Sequence, residues 1–211
     1  MTATGTEHAV PRRDARTERT RRALTAAAIR RFSEQGYDAT TVDQIAAEAG
    51  VTQRTYFHHF PTKEAVLFGG YEARLHDATD AFRTAVRFGS LAEGLHAATS
   101  ALVAAIEAQR DLFLLRGRLY RETPALRATM LRLNEDWIDN VTFVVADELG
   151  IDPATDVGAR LAATVANSAN RVAIDLWTAS GGALDLATLA RDAADAIRPA
   201  LDAIDHRTVR L

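Results

Sequence analysis

The side chains best placed to do chemistry lie between residues 40 and 66, in the stretch TTVDQIAAEAGVTQRTYFHHFPTKEAV. Gln53, Arg54 and Thr55 follow one another just after a turn, and His58 and His59 come one helical turn later. Arg donates two parallel hydrogen bonds to guanine, Gln pairs with adenine in the same manner, and the Thr methyl fits against thymine. Lys63 stands where a new helix is expected to begin, and a helix N-terminus beside an ammonium favours a phosphate. This is the chemistry of reading a nucleic acid rather than of breaking a bond. No Ser–His–Asp set, phosphate-cradling Gly loop or carboxylate pair stands out, so no catalytic residue and no cofactor is expected. Nor is a metal expected: adjacent helical residues such as His58 and His59 point about 100° apart. With no Cys, disulfides, thiolate metal sites and Cys nucleophiles are excluded.

The elements that must position these residues are legible nearby. Thr41 and Gln44 form a capping-box pattern that opens a short helix through Ala49, with Ile45, Ala46 and Ala49 on its apolar face. Gly50 permits a sharp turn, Val51 packs back, and Thr52 caps a second short helix running to about Phe60. Two short helices across a Gly-containing turn make a helix-turn-helix, whose second helix can lie in a DNA major groove. Before them a helix of about 20 residues carries Leu24, Ala28 and Phe32 on one face and stops at Gly36. Residues 1–16 show no apolar period and read as a flexible basic arm. After the pair, Pro61-Thr62 is expected to start a longer helix through about Arg87, interrupted by Gly69-Gly70 as a hinge or a site of close packing.

The remainder repeats these signals. Ser90 and Glu93 cap a helix to about Ala108, and Arg110–Arg121 forms another. Pro124 fits a first helical turn, and the helical period from Met130 to Leu149 places Val141–Val145 in a helix rather than a strand. Asp156 begins a helix ending at Gly181-Gly182, and a last one starts near Asp185, where Pro199 should kink or end it. The fold class is therefore all-α, with about nine helices.

Composition agrees. Hydrophobic residues at 47% and charged residues at 25% give enough apolar surface to offset chain entropy, which excludes general disorder. No apolar run approaches the ~18 residues that cross a bilayer, so a cytoplasmic protein without a membrane partner is expected. The net charge of −3 is unevenly spread: residues 1–63 hold ten basic and seven acidic side chains, whereas residues 64–211 hold 15 and 21. A basic end on an acidic remainder suits one region meeting a polyanion.

Residues 32–64 resemble the DNA-binding domain of the TetR family of bacterial transcriptional regulators. The matching pieces are F-S-E-Q-G-Y at 32–37, T-T-V-D-Q-I-A-A-E-A-G-V at 40–51 and T-Y-F-H-H-F-P-T-K-E at 55–64. The resemblance implies a helix-turn-helix domain over 17–63 and a ligand-binding and dimerisation domain over 64–211. It implies that Thr41 and Lys63 meet phosphates, that Gln53, Arg54 and Thr55 face bases, and that His58 and His59 approach backbone or base edges. One departure matters: the family commonly places a Tyr, whose hydroxyl meets a phosphate, where this chain has Phe57. Tyr56, in a slot the family usually fills with an apolar residue, is the neighbour placed either to compensate or to stay inside.

In the larger domain, Phe113, Arg116, Tyr120, Asn134, Trp137, Asn170 and Arg171 are candidates to line an effector pocket, because such sites are apolar with a few polar groups. The Arg residues suit an anionic ligand. Leu161, Val165, Ala169, Val172 and Leu176 form one stripe, and Leu189, Ala193 and Ile197 line the last helix. The resemblance implies that these two helices join their symmetry mates in a homodimer. The segments 121–127, 147–156 and 176–182 are similar to regulators of this family with acyl-CoA-like ligand-binding domains, which implies an acyl-CoA or fatty-acid effector. The expected function is a ligand-responsive repressor that binds a palindromic double-stranded DNA operator and is released by a small molecule. Activation or dual control on the same fold is the alternative, and a small-molecule carrier or helical enzyme with an idle helix-turn-helix is the other class.

Overall fold

The computed structural model describes residues 12–208, with side chains described for 15–205. Among these residues it contains nine α-helices, one short 3-10 segment and no strand, divided into two units between Gly69 and Gly70. That boundary lies past Lys63, where the sequence suggested it, because the segment after Pro61 belongs to the first unit.

In the first unit, α1 (Arg12–Ala39) buries Leu24, Ala27, Ala28 and Phe32. Residues 12–16, expected in a flexible arm, are helical; residues 1–11 of that arm lie outside the described residues. The helix continues N-terminally on exposed polar residues, with Arg22 paired to Glu18 at 2.9 Å, and such an extension buries no face and so leaves no apolar period to read. Gly36, at φ 82 and ψ 170, breaks the helical path as expected. Helix α2 (Val42–Glu48) starts on the full Thr41–Gln44 capping box, and α3 (Gln53–His59) starts on Thr52. In the turn between them, the Val51 amide donates to the Ala46 carbonyl at 2.9 Å.

The expected long helix from Pro61 does not form. A 3-10 segment, Glu64–Phe68, buries Val66, Leu67 and Phe68 instead. Two glycines end it for different reasons. A Cβ on Gly69 would stand 3.4 Å from both Arg21 and the Phe60 ring, whereas Gly70 has a left-handed φ of 75 that disfavours any side chain.

The second unit comprises α4 (Tyr71–Val86), α5 (Leu91–Glu107), α6 (Arg110–Glu122), α7 (Pro124–Leu149), α8 (Val157–Ala179) and α9 (Leu186–Thr208). Its larger core joins Phe82, Leu95, Val141 and Val145 to Leu201 and Ile204 across the small face of α8, where Ala159, Ala162, Ala163 and Ala166 let neighbouring helices approach closely. A second core gathers Ile106, Phe113, Ala173, Trp177, Leu186 and Ala190. Helix α9 continues through Pro199 rather than ending there. Leu201 and Ile204 beyond it are buried, which offsets the backbone hydrogen bond that proline forfeits.

Candidate nucleic-acid interface and effector domain

At 100° per residue, a seven-residue helix can offer one broad face outward, and burial shows which face α3 offers. Gln53, Arg54, Phe57 and His58 are exposed, whereas Tyr56 is fully buried and Thr55 and His59 are half-buried at the flanks. The Thr55 hydroxyl lies 2.9 Å from that of Thr52, so it serves the cap. Burial, then the nearby His58 and Arg21, hold His59 below the usual histidine range. Thr41 is exposed; its oxygen accepts from the Gln44 amide, while its O–H is a separate donor, suited to a phosphate oxygen at the start of α2.

Two residues expected to meet DNA are turned inward. Tyr56 donates its hydroxyl to the Lys63 carbonyl at 2.9 Å, so it does not replace the hydroxyl that Phe57 lacks. The slot behaves as the apolar position it resembles, with the phenol tip bonded within the protein. The Lys63 ammonium donates to the Tyr37 carbonyl at 2.7 Å and the Thr40 carbonyl at 3.0 Å, and it lies 4.0 Å from the centre of the Tyr37 ring. Burial lowers its pKa, against the raising effect of Asp38 and Glu64. Lys63 thus ties the segment after α3 to the junction between α1 and α2, and two of its three N–H donors serve that link. Tyr37 closes the same cluster by donating to Glu64 at 3.0 Å.

The other side of α2 is held by charge. Glu48 accepts from Arg30 at 2.5 Å and from Arg31, and these bonds, Arg30's first, hold its carboxyl below the usual range despite partial desolvation. This bridge positions α2 on α1, and α3 is held at its two ends, by the Gly50 turn before it and by the lysine link just after it.

In the second unit five of the seven expected effector residues take part in three sets of contacts, and Asn134 and Trp137 in none of them. The Arg116 guanidinium lies 3.9 Å from the centre of the Phe113 ring, and Arg74, which the sequence reading missed, lies 5.2 Å from the same ring. Burial, then the Arg74 charge, pushes Arg116 down to about 9, and burial pushes Arg74 down to about 10. Both stay charged at neutral pH. The sequence signal for Arg74 is its helical spacing with Ala78 and Phe82, the residues with which it is buried on α4. Arg171 donates to the Tyr120 hydroxyl at 3.4 Å, forming the second grouping. Asn170 accepts from Thr99 at 3.1 Å, a buried link between α5 and α8. Beside that link is a cavity of about 10 Å³, room for about one water. Asn134 is half-buried on α7, and Trp137 packs on the larger core.

The expected dimer stripe also divides. Leu161, Val172 and Leu176 are 44%, 55% and 49% exposed, but Ala169 is buried and Val165 packs on the larger core. Eight residues on from Leu161, Ala169 has turned about 80° round the helix, enough to face inward. On α9, Leu189 and Ile197 pack partly within the unit, and Ala193 is half-buried. No helix among the described residues is long and apolar enough to cross a membrane.

Residues 24–68 match the family model described as bacterial regulatory proteins, tetR family, and residues 89–202 match the model of the MftR C-terminal domain. The chain is 31% identical over 202 residues to the HTH-type transcriptional regulator TcmR of Streptomyces glaucescens, covering 90% of this chain and 87% of that protein. In fold it resembles the regulator FadR of Bacillus subtilis, solved in complex with stearoyl-CoA, with a TM-score of 0.55 at 16% identity over 82% of this chain and 95% of the other. It also resembles Thermus thermophilus FadR, a repressor solved with lauroyl-CoA, with a TM-score of 0.54 at 23% identity over 82% and 90% of the two chains.

Proposed function

The chain belongs to the TetR family of bacterial transcriptional regulators, and on that basis we propose that it is a cytoplasmic, homodimeric repressor that binds a palindromic operator and is released by a small-molecule effector. The outward quartet of α3, Gln53, Arg54, Phe57 and His58, carries the DNA-reading part. It stands on a helix capped at Thr52 and braced from behind by the buried Tyr56, so the readers have a rigid base. A two-fold dimer suits two half-sites about one helical turn apart. Exposed Leu161, Val172 and Leu176 on α8 support that dimer, since apolar side chains in water gain by being covered.

An amphipathic anion is the effector class that the second unit favours. Two guanidiniums, that of buried Arg74 and that of half-buried Arg116, share the Phe113 ring, which offers positive charge beside apolar surface. The FadR proteins of similar fold were solved with long-chain acyl-CoA, so acyl-CoA and free fatty acids are the first candidates. The effector acts by binding the DNA-incompetent conformer more tightly than the competent one. The test is fluorescence anisotropy of the full chain on the DNA flanking its own gene, titrated with long-chain acyl-CoA and with fatty acids, alongside sedimentation of the free protein. Release of DNA by one of these classes and a dimer in solution are expected. Binding indifferent to all of them counts against the effector class, and a monomer at micromolar concentration counts against the dimer.

A further inference from the structure

We propose that Phe57 reads DNA sequence by placing its ring against a thymine methyl group, an apolar contact at the centre of an otherwise polar reading face. This rests on the DNA-binding reading above and names one of its specificity determinants.

The placement follows from helix geometry. Taking Gln53 as zero, Arg54 lies at about 100°, Phe57 at about 40° and His58 at about 140° around the axis. Phe57 is therefore between Gln53 and Arg54 in angle and one turn further along. It is 46% exposed, while the residues behind it, Tyr56 and Phe60, are buried. About half of this large aromatic ring packs within its own unit, and the other half faces water among polar residues, an outer surface that the fold leaves uncovered.

Its orientation is nonetheless held. The Tyr56 ring meets it edge-on, with centroids 5.6 Å apart at 84°, and Tyr56 is itself anchored through its hydroxyl to the Lys63 carbonyl. A braced ring can discriminate, since little rotamer freedom is lost on contact.

The chemistry then narrows the target. Phenylalanine has no donor, so it makes no hydrogen bond to a phosphate or a base edge. In a groove it can touch deoxyribose carbons, which every nucleotide carries, or the C5-methyl of thymine, which marks one base in the major groove. Deoxyribose lines the groove walls, whereas the middle of the reading face is directed at its floor. With Gln53 and Arg54 on either side, each able to pair with a purine, the central ring is directed at a thymine methyl.

The test begins by selecting the preferred duplex from a random library with the full chain. Each thymine is then replaced by deoxyuridine, which removes the methyl and nothing else, and affinities are compared for the wild type, Phe57→Leu and Phe57→Ala. For the wild type, one thymine position in each half-site should lose about threefold to fivefold in affinity per methyl removed. Phe57→Ala should bind the thymine duplex less tightly and show no further loss at that position, with Phe57→Leu in between. Melting temperatures should fall only slightly for Phe57→Ala and less for Phe57→Leu, because about half of the ring is exposed. A wild type indifferent to every deoxyuridine, or a Phe57→Ala variant as sensitive as the wild type, overturns the inference while leaving DNA binding intact. If the selection enriches no sequence, the DNA-reading function fails and this inference falls with it.

Discussion

The two units solve the problem of positioning side chains in opposite ways. Around α2 and α3, polar groups tie short elements together: the Thr41 capping box, the Thr52 cap, Lys63 bonded to two carbonyls, and Glu48 bridging Arg30 and Arg31. In the second unit, long helices are held by apolar packing around alanines on α8 and around Trp177. Short helices bury too little surface to hold themselves, so directional bonds set the reading face. Long helices are stabilised along their whole length by burial, with only a few directional links between them, such as Thr99 to Asn170. One unit is held chiefly by directional bonds between short elements and the other chiefly by apolar packing of long ones.

Mutations can break or sharpen this contrast. The largest effect is expected for Trp177→Ala, which empties the centre of the second core. Burial of the whole side chain predicts a loss of about 3–5 kcal/mol, measured by urea unfolding. A loss under about 1 kcal/mol would show that packing there is not the main support.

Lys63→Met comes next. If the ammonium is the tie between the segment after α3 and the α1–α2 junction, stability falls by about 1.5–3 kcal/mol, the range for a hydrogen bond to a charged group, and operator and random DNA weaken together. Unchanged melting with a shallower salt dependence of DNA binding would return Lys63 to a phosphate contact.

Arg54→Ala should do the reverse. Its side chain is exposed, so stability should move by no more than about 0.5 kcal/mol. Operator affinity should fall by about 1–3 kcal/mol, with relaxed preference at one base pair, as competition against single-base operator variants would show.

The smallest effect is a pH dependence. Arg30 first, and Arg31, hold the folded Glu48 carboxyl below its ordinary value of 4.5. Its stabilisation is therefore present above that value and is lost as pH falls through the lowered one. Thermal melts between pH 3 and about pH 6 should show this decline in the wild type, and Glu48→Gln should flatten part of it.

The contrast also explains what could be read from the sequence. The caps at Thr41, Thr52 and Ser90 were legible because each joins a side chain to a backbone amide three residues on. The helix-turn-helix and the all-α class followed from such local signals. The inward turn of Lys63 was not legible, since its carbonyl partners lie 23 and 26 residues away. The 3-10 segment was missed because Val66-Leu67-Phe68 is apolar in either kind of helix, and only its packing against α1 decides between them. On α8, the alternation of Ala with larger residues showed a two-faced helix but not where its outer face begins, so Ala169 was placed on the wrong side. Arg74 was hidden for the opposite reason: an Arg on an apolar stripe reads as a surface residue until its burial is known.

The most direct test of the account is a salt series of anisotropy titrations, with the full chain on its selected operator and on a scrambled duplex of the same composition. A preference of about 10³-fold or more for the operator, sharply reduced in Arg54→Ala, is the result predicted for a sequence-reading α3 face. Equal, salt-sensitive binding to both duplexes, unchanged in Arg54→Ala, would leave only phosphate attraction and would contradict it.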